Sequence, residues 1–202
     1  MRVRRVLTLV IQSLGCLLYK LCSKSEEHMG LTLKEEFMIT IRHGEATDIP
    51  RLTEIYNYYV THTFVTFDPK PASIEDRQKW FNKYLKSGPY QIFVAEQDDI
   101  VLGCASSSQY REHIAFRETV EVGIYIANEA RGKGIGTLLY NRLFEILKLE
   151  KIHLAVAGIA LPNQASIALH KKFGFTEVGV FKEYAIKNNQ YISSIWLQKL
   201  LN

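Results

Sequence analysis

Three cysteines in 202 residues, Cys16, Cys22 and Cys104, are an odd number at irregular spacing. They supply neither a disulfide framework nor a zinc site, and no metal is expected. A reducing interior is the easier setting, so the expectation is a cytoplasmic protein. Charge of one sign is also scarce. The net charge is +4 and no Lys/Arg-rich block occurs, which removes the footprint of a nucleic-acid binder. Long apolar runs are missing too. "VLTLVIQSLGCLLY" after "MRVRR" is the nearest approach, and it falls short of the roughly 20 residues that a spanning helix needs. There are no repeats or low-complexity tracts. What remains is an ordinary globular composition, 47% hydrophobic and 23% charged.

The first 37 residues differ from the rest. Their basic start and apolar middle fit a signal sequence or anchor, yet no clean small-x-small cleavage site follows. A second reading is that "KEEFM" hides a purine-rich ribosome-binding stretch read in frame, with translation starting at Met38 (or Met29). The expectation is therefore an extension, residues 1–37, outside the fold, and one domain over 38–202.

From Met38 the patterns are regular. "MITIR" alternates as a strand. "TDIPRLTEIYNYYVTH" reads as a helix capped by Asp48, with Pro50 in its first turn. "SIEDRQKWFNKYLKSG" reads as a second helix, with Ser73 and Asp76 as capping box and Gly88 as its end. "YQIFVAE" and "IVLGCASSSQY" form a hairpin around "QDD". "ETVEVGIYIA" is a fourth strand, where Gly123 predicts a bulge. A helix then runs to about residue 150. "IHLAVAGIA" is a buried-type strand, and "NQASIALHKKFGF" is a helix closed by Gly174. "TEVGVFKEYAI" and "QYISSIWLQKLL" form a last hairpin. The fold class is α+β.

"RGKGIGT", at the start of the third helix, is the segment with chemistry in it. It lacks the G-K-[ST] of a Walker A loop and the final spacing of a dinucleotide fingerprint. What it offers is Arg131-x-x-Gly134-x-Gly136. Glycines let main-chain N–H groups approach an anion closely, and the following helix adds its positive end. A pyrophosphate fits; a glycine-rich helix start without a ligand is the alternative.

With the strand "TVEVGIYI" before it, this motif resembles motif A of the GNAT acetyltransferase superfamily. "RLTEIYNYYVTHTFVTFD", "FRETVEVGIYI" and "LPNQASIALHKKFGF" resemble its phosphinothricin and methionine-sulfoximine branch. The resemblance covers residues 38–202. It implies the GNAT fold, a mixed, mostly antiparallel sheet splayed between the fourth and fifth strands with helices on both faces. It implies acetyl-CoA as co-substrate, transfer to the amine of a small amino-acid analogue, and a homodimer, with no membrane role for the domain. A peptide N-terminal acetyltransferase and a non-catalytic acetyl-CoA sensor are the alternatives.

By the same resemblance, Arg131, Gly132, Lys133, Gly134, Ile135, Gly136 and Thr137 hold the pyrophosphate. The backbone of Ile124, Tyr125 and Ile126 pairs with the pantetheine arm in the splay, and Asn163 and Ser166 bind from the later helix. Glu121 is the candidate base; strand parity sets it with Gly123 and Tyr125, opposite Val120 and Val122. His170 shares a helical stripe with Asn163 and Ser166, while Ala165, Leu169 and Phe173 form an apolar stripe. Histidine titrates near 6.5 and is the candidate acid for the departing thiolate. Phe67, Arg111, Glu112 and His113 are substrate candidates, with Glu121, Val122 and Gly123. The branch often has histidine and serine where this chain has Val122 and Gly123, which leaves the amine open. Tyr184, Tyr191 and Trp196 are expected to fill core.

Overall fold

A computed structural model describes residues 38–201. The expected extension, residues 1–37, lies outside the described residues. The elements run β1 (Thr40–His43), α1 (Ile49–His62), α2 (Ile74–Phe81), β2 (Ile92–Gln97), β3 (Ile100–Gln109), β4 (Thr119–Ile126), α3 (Ile135–Leu147), β5 (Leu154–Ala160), α4 (Gln164–Lys172), β6 (Thr176–Lys187) and β7 (Gln190–Leu200). The strands form one seven-stranded sheet in the order β1-β2-β3-β4-β5-β7-β6. β4 and β5 are parallel; every other neighbour pair is antiparallel. This is the expected α+β architecture. No helix among the described residues is long and apolar enough to cross a membrane.

Helices cover both faces. Along β4 the parity separates them: Tyr125 meets the rings of Tyr56 and Tyr59 on α1, while Ile124 lies beside the start of α3 at Gly136. α3 buries Ile135, Leu139, Tyr140, Leu143, Phe144 and Leu147, the stripe that a helical period requires. Asp98 and Asp99 both adopt positive φ, giving the tight turn of the β2–β3 hairpin. The Ser73 hydroxyl accepts from the Asp76 amide and starts α2 as expected.

Several local expectations are corrected. α2 ends at Phe81, not near Gly88, because the chain beyond turns back through Leu85 N–H to the Tyr90 carbonyl. Asp48 makes no side-chain cap bond to α1. Its carboxylate instead accepts from the Glu45 amide at 2.8 Å and from both terminal nitrogens of Arg42 at 2.8 Å. Arg42 also reaches Glu96, so one guanidinium ties β1, β2 and the turn before α1 together. In α4 the buried positions are Ile167 and His170, whereas Ala165 is exposed. Tyr184 and Tyr191 are exposed at 47% and 69% and do not fill core.

Candidate active site

β4 stays in register with β3 from Val120 to Ile126 without a shift, so the bulge expected at Gly123 is absent. The strand splays nonetheless. β4 and β5 pair only over Thr119–Glu121 and Leu154–Val156. Beyond Glu121 each keeps its antiparallel partner, β3 for β4 and β7 for β5. Two such ribbons twist independently, and the seam between them opens. The gap follows from competing pairings, with no extra residue in the strand.

The groups facing that gap can be read from the ladder. Ala127 N–H donates to Leu102 O at 2.8 Å. Directly opposite residues in an antiparallel pair alternate between bonded and non-bonded. Tyr125 and Gly123 therefore turn their main-chain groups to β3, while Val122, Ile124 and Ile126 turn theirs to the gap. The Ile126 carbonyl already accepts from the Tyr59 hydroxyl at 2.6 Å. Of the expected trio, Ile124 is left fully available, and Tyr125 contributes its ring.

At one end of the gap stands the glycine turn. Gly132 and Gly134 have φ of 77° and 78°, a left-handed conformation that side-chain-bearing residues resist. Among the described residues, the amides of Gly132, Lys133, Gly134, Ile135 and Gly136 have no main-chain acceptor. Thr137 is the exception: its N–H donates to the Gly134 carbonyl at 2.9 Å, and its hydroxyl meets Lys172 Nζ at 3.1 Å. Unpaired amides at the first turn of a thirteen-residue helix make an anion cradle. Arg131 sits beside them, its guanidinium 5.1 Å from the Tyr59 ring.

A cleft of about 590 Å³ runs from this turn through the gap to α4. Arg131, Gly132, Gly134, Ile135 and Gly136 line it, as do Ile124, Tyr125, Ile126, Asn163, Ser166 and His170. Lys133 and Thr137 are not among its lining residues. Asn163 Oδ1 caps α4 by accepting from Ser166 N–H at 3.2 Å, which leaves its amide NH2 and one acceptor site of that oxygen to meet a ligand.

A second cavity, about 390 Å³, adjoins the first and is walled by α1, α2, β3 and β4. The two share Val122, Gly123, Tyr125 and Gly158. Gly158 is required there, since a Cβ would stand 2.9 Å from the Trp196 ring. Glu121 lines the second cavity, and burial raises the pKa of its carboxyl. No hydrogen bond to that carboxylate exists among the described residues. Desolvation without a partner is how a protein holds a carboxylate ready to take a proton near neutrality.

His170 departs most from expectation. It is 2% exposed, with Nδ1 2.7 Å from the Ser166 carbonyl and Nε2 2.8 Å from the Tyr140 hydroxyl. A carbonyl only accepts, so Nδ1 carries the hydrogen and Nε2 accepts from Tyr140. Burial lowers its pKa, which favours the neutral ring. Both ring nitrogens already have hydrogen-bond partners, so a positioning role stands beside the acid role expected of this histidine.

The substrate candidates divide. Glu121, Val122 and Gly123 line the second cavity. Arg111, Glu112 and His113 are exposed and line neither cavity; Arg111 lies over the Tyr110 and Phe116 rings at 5.0 and 5.3 Å. Phe67 is 40% exposed and packs on Tyr184. Sequence reasoning missed Tyr56, Arg77, Trp80 and Tyr84, which wall the cavity from α1, α2 and the residues after it. Among the described residues no group of three or more His, Cys, Asp and Glu side chains is placed to hold a metal.

An anion cradle, an opened parallel seam and an adjoining cavity with a half-buried carboxylate define an acyl-transfer site on this fold. The acetyltransferase (GNAT) domain family matches residues 41–196, and the chain belongs to that family as an N-acetyltransferase. It is similar to a phosphinothricin N-acetyltransferase of Streptomyces coelicolor, 41% identical over 81% of this chain and 96% of that one. An L-methionine sulfoximine/L-methionine sulfone acetyltransferase of Salmonella typhimurium is 32% identical over 81% and 95%. Among solved structures, a phosphinothricin acetyltransferase from Sinorhizobium meliloti in complex with acetyl-CoA aligns with a TM-score of 0.77. It is 31% identical and covers 81% of this chain and 89% of its own.

Proposed function

We propose that the protein transfers the acetyl group of acetyl-CoA directly to the amine of a small amino-acid analogue of the phosphinothricin or methionine sulfoximine type. The observation that carries this reading is the junction at Val122, Gly123 and Gly158, where a cleft with free amides meets a cavity with a half-buried, unpaired carboxylate. The relatives' named substrates support the amine class.

In this reading the amides of residues 132–136 and Arg131 take the diphosphate, and Ile124 pairs with the pantetheine arm. Asn163 and the Ser166 hydroxyl approach the same arm. Glu121 removes the proton that the ammonium must lose, directly or through water. The amine nitrogen attacks the thioester carbon and an N–H facing the gap stabilises the oxyanion; as the intermediate collapses the carbon–sulfur bond breaks, and the nitrogen's surplus proton passes, directly or through water, to the departing thiolate, leaving the amide and free coenzyme A thiol. Cys104 offers no covalent alternative: it is 4% exposed, and burial pushes its thiol up to about 11. His170 acts by position, locking α4 onto Tyr140 of α3 so that Asn163 and Ser166 stay aimed at the cleft. The reaction's donor is an intracellular metabolite, which supports a cytoplasmic setting.

The test is thiol release by the full chain with acetyl-CoA and a panel of amines. Phosphinothricin, methionine sulfoximine and methionine sulfone are expected to be acetylated, and peptides with free N-termini to be poor acceptors. Preference for peptides overturns the substrate class. Tight acetyl-CoA binding with no thiol release from any amine makes the protein a sensor instead.

A homodimer belongs to the same proposal. β6 is the outermost strand, and it exposes Val178, Val180, Phe181, Tyr184 and Ile186. A contiguous apolar edge of this kind is ordinarily covered. Light scattering is expected to give twice the chain mass, and Val180→Asp with Phe181→Glu to halve it. A monomeric wild type at micromolar concentration removes the assignment.

A further inference from the structure

We infer that Arg77 is the anchor for an acidic oxygen group, carboxylate or phosphinate, on the acceptor molecule. The inference rests on the acetyltransferase reading just given and names a residue that reading does not use.

Arg77 projects from α2 and lines the acceptor cavity, yet it is only 6% exposed. A guanidinium is permanently charged, and burying a charge without a counter-ion is costly. No acid pairs with it among the described residues. The acids that share its cavity are engaged elsewhere or stand apart: Asp68 accepts from the Tyr56 hydroxyl, Asp76 meets Ser73 and Lys79, and Glu121 has no ion pair. Arg77 Nε is buried with no hydrogen-bond acceptor at all. Two rings lie against the group instead, with the Trp80 centroid 3.5 Å and the Tyr56 centroid 4.4 Å from the guanidinium carbon. Aromatic rings supply no carboxylate to pair with, so the fork of N–H donors that fits two oxygens at once is what it has left to offer.

The same cavity therefore holds complementary functions on different walls. Glu121 on β4 suits an amine, and Arg77 on α2 suits an anion. A molecule that carries both, with an acid group a few bonds from its amine, satisfies the two together. An amine with no acid group leaves the guanidinium buried and unpaired, so the cavity discriminates against it. Arg111, the arginine that the sequence had brought forward, lies outside the cavity.

The experiment compares wild type with Arg77→Gln and Arg77→Lys on paired acceptors. Phosphinothricin carries two acid groups, methionine sulfone has the α-carboxylate only, and methionine sulfone amide has none. Calorimetry with phosphinothricin on the coenzyme A-loaded protein accompanies the rates. Arg77→Gln is expected to lower kcat/KM at least a hundredfold for the acid-bearing amines and less than threefold for the amide. KM for acetyl-CoA should hold, and Arg77→Lys should recover part of the loss. Loss with methionine sulfone assigns Arg77 to the α-carboxylate; loss with phosphinothricin alone assigns it to the side-chain acid. An equal loss on all three, or none, overturns the inference. If wild type binds phosphinothricin in an Arg77-dependent way but acetylates nothing, the inference stands and the enzymatic reading fails. Absence of both binding and turnover overturns the two together.

Discussion

Glu121→Gln lowers kcat/KM for the amine by about a hundred- to ten-thousand-fold, the range for removing a positioned general base, while acetyl-CoA affinity holds. The side chain lines the acceptor cavity and not the cleft with the glycine turn, which is why the two measurements part. The wild-type pH dependence carries the same signature. Burial raises the Glu121 pKa above its ordinary 4.5, so the proton-accepting form appears only as pH climbs through the raised value. Activity should rise along that limb, and the limb should vanish in the Gln variant. Linkage sets the sign for stability. A carboxyl whose pKa is raised by folding contributes stability that is present at low pH and lost as pH rises through that value. At neutral pH the Gln variant is therefore no less stable than wild type, and thermal unfolding separates lost chemistry from lost fold. An unchanged pH–rate profile removes Glu121 from the base role.

Gly134→Val weakens acetyl-CoA binding at least tenfold, roughly 1.4 kcal/mol. The cause is conformational. A Cβ at Gly134 meets nothing within 4 Å, so no clash is introduced. The φ of 78° is the obstacle, since a β-branched residue there is a severe outlier. The chain either bears that strain or rotates, and rotation swings the neighbouring amides off the diphosphate. Asparagine tolerates left-handed φ, so Gly134→Asn should keep most of the affinity. Calorimetry on both variants decides the matter: equal binding by Gly134→Val and wild type would show that the turn's conformation is not what holds the cofactor.

Those two sites were legible in the sequence for a reason. Positive φ demands glycine, so "RGKGIG" ahead of the Ile135, Leu139, Leu143 stripe announces a cradle and its helix without reference to the rest of the chain. Glu121 could be assigned a face because strand parity is local as well. What escaped depends on partners distant in sequence. His170 reads as a side chain open to the cleft, and its contact with Tyr140, thirty residues earlier and 2.8 Å from Nε2, shows only in the fold. Arg77 sits in an exposed-looking helical run, "IEDRQKWF", and only the packing of α2 against α1 reveals that it is buried. Asp48 reads as a helix cap, and Arg42, which also pairs with Glu96, claims it instead. The bulge predicted from Gly123 does not form, because a glycine fits an unbroken ladder as well, and the choice of strand partners opens the seam.

The shared wall of Val122, Gly123, Tyr125 and Gly158 has a kinetic consequence. The cleft is framed by the 130–136 turn, α4 and the end of α1, and the acceptor cavity by α1 and α2, and the lining residues the two share are those four. In the proposed reading each reactant then has its own compartment. Spent carrier can depart while the acylated product is still bound, and a fresh donor can load before the next amine arrives. The fold thus permits a random-order cycle, with an obligatory sequence arising only where one partner's docking reshapes the wall between them.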